Sequence, residues 1–128
     1  MRKDALKLTL IACALFLVSP LAVAADSAAA TMAEILVNLN HFPSDADKNK
    51  LADIMESAET SDAEVDIAMA ISHIEHQAKD EDKEMLGEYI ADESVSADLR
   101  TVAAAVLRVN HKVSDEDMEA LKKIASDS

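Results

Sequence analysis

The chain has little of what often stabilises or activates a small protein: one Cys, one Gly, two Pro, no Trp, and only 2% aromatic residues. A lone cysteine, Cys13, excludes an intramolecular disulfide, so a fold of this size must rest on packing. A lone glycine, Gly87, excludes a Gly-rich phosphate loop. Positive charge is scarce too, with 12 Lys and Arg against 25 Asp and Glu and a net of −13. Nucleic acid is thereby excluded as a partner, because phosphate neutralisation needs Lys and Arg, and anionic membrane surfaces are repelled. No apolar run reaches the ~20 residues that a membrane-spanning helix needs. Nothing places a nucleophile against a base, and the connecting segments are too short to enclose a pocket, so the chain reads as not an enzyme.

What is present begins with an address. Arg2, Lys3 and Lys7 precede the apolar run Leu8 to Val18, which Ser19-Pro20 interrupts before the small residues Ala22-Val23-Ala24-Ala25. A basic head, a short apolar core and an A-x-A-like exit predict a secretory signal peptide over residues 1–25, cleaved at Ala24 or Ala25. A rival reading makes Leu10-Ile11-Ala12-Cys13 a lipobox with Cys13 lipidated. It is weaker, because the apolar stretch before Cys13 is short and an apolar tail would remain after it. The expected location is periplasmic or secreted. Residues 1–25 carry a net of +2, leaving −15 on residues 26–128. Such a surface suits a soluble monomer without a membrane span, and its protein partner cannot be named from sequence.

Residues 26–128 repeat. His41, His76 and His111 lie 35 residues apart, and the same shift superposes Asp45, Asp80 and Asp115, then Asp47, Asp82 and Asp117. Leu51, Leu86 and Leu121 align as well, as do Ala33, Ala68 and Ala103. Apolar columns such as Leu36, Ile71 and Val106, or Leu39, Ile74 and Val109, agree in class. Repeats are therefore placed at 26–60, 61–95 and 96–128 within one domain. Spacings such as Met32, Ile35, Leu36 and Leu39 are helical, and Pro43 with Ser44 or Asp45 separates two helices in the first unit. In the second unit Lys79 replaces the serine, so Asp80 is the expected cap. Six helices are predicted, at 27–40, 45–57, 62–76, 80–92, 96–110 and 115–126. Each hairpin is too small to bury its own apolar face and must lean on its neighbours. The expected fold is all-α: three tandem 35-residue hairpins stacked as a short α-solenoid or a compact right-angle bundle. The period lies near the tetratricopeptide length, but that family's Trp, Leu-Gly, Tyr and Pro pattern is missing, and no family is recognised.

The sharpest chemical feature is the recurring His-x-x-x-Asp-x-Asp. The structural reading puts each His in the last turn of one helix and the carboxylates in the first turn of the next, where they complement the dipoles. That structural reading is preferred and no cofactor is expected; the functional alternative is a divalent metal site using His41, Asp45, His73, His76, Asp80, His111 and Asp115. Stacked hairpins would set equivalent residues at least a helix spacing of 8–10 Å apart, so each turn is expected to form its own weak site. The second is best equipped, with His73 and His76 on one helical face. A calcium loop fails, since its sixth position needs Gly and is Lys50. Phe42 is expected to pack against the next helix, and Met32, Met55 and Met85 to lie on apolar stripes. The leading functional expectation is a non-enzymatic binding or interaction module. Metal binding through the repeated turns comes second, and a small chaperone third.

Overall fold

The computed structural model describes residues 27–127, and the expected signal segment with Cys13 lies outside them. Six α-helices follow in chain order: α1 (Ala28–Val37), α2 (Asp45–Glu56), α3 (Asp62–Ser72), α4 (Asp80–Ala91), α5 (Ala97–Arg108) and α6 (Asp115–Ser126). No strand occurs among the described residues, and none of their helices is long and apolar enough to cross a membrane.

Serine starts the helices. Ser27, Ser44, Ser61, Ser96 and Ser114 each accept a hydrogen bond from the backbone N–H three residues on, and Ser44 with Asp47 completes a reciprocal capping box. Helix α4 is the exception. Its N-cap is Lys79, which makes no side-chain cap bond, and Asp80 is the first helical residue instead of the expected cap.

The first helix of each repeat ends earlier than expected, at Val37, Ser72 and Arg108. The apolar rhythm outlasts the helix. Leu39, Ile74 and Val109 are buried as the pattern requires, yet they sit in the segment that leaves the helix, their N–H groups bonded to the carbonyls of Leu36, Ile71 and Val106.

The three first helices, α1, α3 and α5, pack against one another at the centre. Each second helix lies outside, chiefly against the first helix of the following repeat: α2 on α3 and α4 on α5. Helix α6 has no following repeat and packs on α1. The chain therefore closes on itself. Of the two expected arrangements this is the closed bundle, and no open solenoid end remains at α1 or α6. Closure is favoured because an open stack would leave the apolar faces of its first and last units in water. Met32, Ala33 and Leu36, with Ile67, Ala68 and Ile71 and with Val102, Ala103 and Val106, are all at 0% exposure. The identical alanine column lets the inner helices approach closely. Each outer helix contributes one fully buried leucine, Leu51, Leu86 or Leu121.

Polar ties fix the second helices to the first. Arg108 forms a two-pronged ion pair with Asp117, a residue only 4% exposed. The same columns hold His73 and Asp82, whose Nδ1 and Oδ2 are 3.1 Å apart. Tyr89 donates to Asp66 at 2.6 Å, joining α4 to α3.

Candidate metal centre

Between the paired helices of each repeat the chain makes a sharp bend centred on a histidine. In the three bends the residues flanking it bond to each other: Phe42 N–H to Asn40 C=O at 2.9 Å, Glu75 N–H to Gln77 C=O at 3.3 Å, and Asn110 N–H to Lys112 C=O at 3.2 Å. The bend forces a left-handed backbone, with φ of 73° at His41, 72° at His76 and 68° at His111. These are the only non-Gly residues with positive φ among those described. An L-residue in this region costs roughly 1–2 kcal/mol, which Gly would avoid and Asn would reduce. The sequence places histidine there three times.

Closure of the bundle brings the bends to one point. His41 N–H donates to the His111 carbonyl at 2.7 Å, His76 N–H to that of His41 at 2.7 Å, and His111 N–H to that of His76 at 2.6 Å. The result is a closed triangle of backbone hydrogen bonds, one edge per pair of repeats, in which every histidine both donates and accepts. The three imidazoles stand over it, half-buried at His41 and exposed at His76 and His111. Their Nδ1 atoms are 2.9 Å apart for His41 and His111, 3.1 Å for His76 and His111, and 3.2 Å for His41 and His76. The rings meet edge to face, with centroids 4.8–5.1 Å apart.

Hydrogen bonding alone cannot satisfy this arrangement. A neutral imidazole Nδ1 either carries a proton or offers a lone pair. With three such atoms in mutual contact, at least one contact must set lone pair against lone pair, or proton against proton. A cation at the centre resolves the conflict by taking all three lone pairs. The spacing suits one: ligands ~2.1 Å from an ion lie about 3.0 Å apart at right angles and about 3.4 Å apart at the tetrahedral angle. The observed separations of 2.9–3.2 Å lie close to the right-angle value.

The site thus differs from three separate turn sites. The expected separation assumed hairpins stacked in a row, whereas closure points all three bends inward. Nor do the histidines lie in the last turn of a helix. His76 is four residues beyond the end of α3, so His73 and His76 do not share a helical face. His73 caps α3 and pairs with Asp82. Those two and Glu81 form a second cluster of potential ligands, but the Arg108–Asp117 pair in the same columns marks it as a structural tie between helices. Asp45, Asp80 and Asp115 are exposed in the first turns of α2, α4 and α6, where the dipole favours them. A hydrogen bond from Lys83 holds Asp80 below the usual carboxylate range. No carboxylate among the described residues joins the three imidazoles within 4.8 Å.

Two neighbouring residues differ from their repeat equivalents. Phe42, expected to be packed, is 59% exposed, and Lys79 stands where the other repeats have capping serines. Comparison with family profiles, curated proteins and solved structures returned no match to this chain.

Proposed function

We propose that this is a divalent-metal-binding protein that holds one ion per chain between the Nδ1 atoms of His41, His76 and His111, and that it binds the ion without catalysing a reaction on it. The carrying observation is the convergence of three lone-pair donors within 2.9–3.2 Å over a closed backbone triangle. Ligands fixed this way need little reorganisation to bind. Imidazole donors suit Zn²⁺, Cu²⁺ and Ni²⁺ in preference to Ca²⁺ or Mg²⁺. The net charge of −13 raises the local concentration of any cation near the surface. A binding role outside the cytoplasm agrees with the signal-like N-terminus. The metal reading replaces the more general interaction module because it names a site, and it keeps the non-enzymatic character expected from the sequence.

Isothermal titration with Zn²⁺ tests it. One ion per chain should bind with micromolar or tighter affinity, and His41→Ala, His76→Ala or His111→Ala should each weaken binding more than ~10-fold, as expected when one ligand of a shared ion is lost. Asp45→Asn, Asp80→Asn and Asp115→Asn should leave affinity within about threefold, the scale of a screened surface charge. A stoichiometry of three, or loss of binding in the aspartate variants, would mean separate turn sites and refute a shared centre.

A further inference from the structure

Three neutral imidazoles complete neither the coordination nor the charge balance of a divalent ion, and the surface beside them suggests what does. A groove of about 440 Å³ adjoins the centre, with His76 in its wall, and Phe42, Lys48, Glu75 and Lys79 among its other lining residues. It lies between the first and second repeats.

Three of these side chains, Phe42, Glu75 and Lys79, depart from the repeat, whereas His76 recurs in every copy and Lys48 aligns with Lys83. Phe42 aligns with Gln77 and Lys112 and, among the described residues, is the more exposed of two large exposed hydrophobics, Met69 being the other. Lys79 aligns with Ser44 and Ser114, both of which cap helices. Lysine there forgoes a cap worth about 1 kcal/mol and sets a cation at the positive end of the α4 dipole. Neither choice helps the fold. Lys48 and Lys79 make no ion pair with the described residues, although acidic groups outnumber basic ones two to one. The groove's one carboxylate, Glu75, does not reach the imidazoles. A local rule broken without structural gain points to function.

We infer that the groove is the seat of an exogenous ligand of the metal centre: a small organic carboxylate with a flat apolar body. This rests on the metal reading above. The carboxylate completes the coordination of the ion, Lys48 and Lys79 offset the rest of its charge, and Phe42 stacks on the apolar part. An exposed aromatic ring and a pair of unpartnered cations beside a dication together recognise such a ligand better than inorganic anions or neutral aromatics.

Cobalt(II) separates the two layers of the argument, because its visible bands report coordination directly. The full exported chain, loaded with Co²⁺, is titrated with benzoate, acetate and benzyl alcohol. Wild type should show cobalt bands, and benzoate should shift them saturably. Acetate should bind about two- to tenfold more weakly for want of the ring contact, and benzyl alcohol should leave the bands unchanged. Phe42→Ala should reduce benzoate to the level of acetate. Lys79→Ser should weaken both anions about two- to fivefold while raising the melting temperature, so lost binding cannot be ascribed to misfolding. Cobalt bands that ignore benzoate, or variants that bind it as wild type does, would overturn this inference and leave the metal centre standing. Absence of cobalt bands would remove the metal centre and the inference with it.

Discussion

A metal drawn from three repeats should act as a staple, and its effect on stability can be worked out. The three histidines lie 35 and 70 residues apart, so they converge only in the folded ring and the unfolded chain has no comparable cluster. With free Zn²⁺ at about 100 times its dissociation constant, linkage stabilises the native state by ~2.7 kcal/mol. About 100 folded residues at ~2.1 cal/mol/K each give an unfolding entropy near 0.2 kcal/mol/K. The melting temperature should therefore rise by about 13 °C between chelator-treated and zinc-loaded protein, followed by circular dichroism at 222 nm. His76→Gly sharpens the test. At φ 72° a glycine is freed of the left-handed penalty, so the metal-free variant should be as stable as wild type or more stable by up to ~1 kcal/mol. The zinc-dependent rise should fall to about half or less in the same variant, since a tenfold weaker site leaves ~1.4 kcal/mol of linkage. If zinc still raises the melting temperature of His76→Gly by about the wild-type amount, the three histidines are not acting as one site. If metal-free His76→Gly is instead strongly destabilised, histidine serves the bend itself and the argument from strain is wrong.

Closure of the bundle makes all three outer leucines equivalent: Leu51→Ala, Leu86→Ala and Leu121→Ala should each cost about 2–5 kcal/mol by urea denaturation, whereas an open stack would tolerate the change at terminal Leu121 far better. Arg108→Met should cost about 1–3 kcal/mol near pH 7, the lower part being expected because water screens the exposed guanidinium. The hydrogen bond from Arg108 holds Asp117 below the usual carboxylate range. Its stabilising share is therefore present above the unfolded value near 4 and fades as pH falls through the lower folded value, so wild type and Arg108→Met should converge in urea midpoint toward pH 2. The Asp66 carboxylate, accepting from Tyr89, and burial push the phenol up to about 12. That share is complete below pH 10 and is lost as pH climbs toward 12, so Tyr89→Phe should flatten the alkaline fall in stability seen in wild type.

Much of this protein is written locally. The 35-residue period, the helical spacing of Met32, Ile35 and Leu36, and the capping serines Ser44, Ser61 and Ser114 act over a few residues, so sequence alone fixed six helices in three like units. The same logic overran at Leu39, Ile74 and Val109, because burial demands an apolar side chain whether or not the backbone is still helical. It also left His41, His76 and His111 as three separate residues. A clue was visible: histidine recurs at a bend where glycine or asparagine is cheaper.

Only the tertiary structure decided that these residues meet. A repeat specifies how each unit contacts the next, but a small rotation per unit separates an open stack from a ring, and that rotation is the sum of many weak packing choices. Here the last helix reaches the first, α6 on α1, and the three bends share one centre. The site exists because the chain closes, and closure is a property of no single stretch of it.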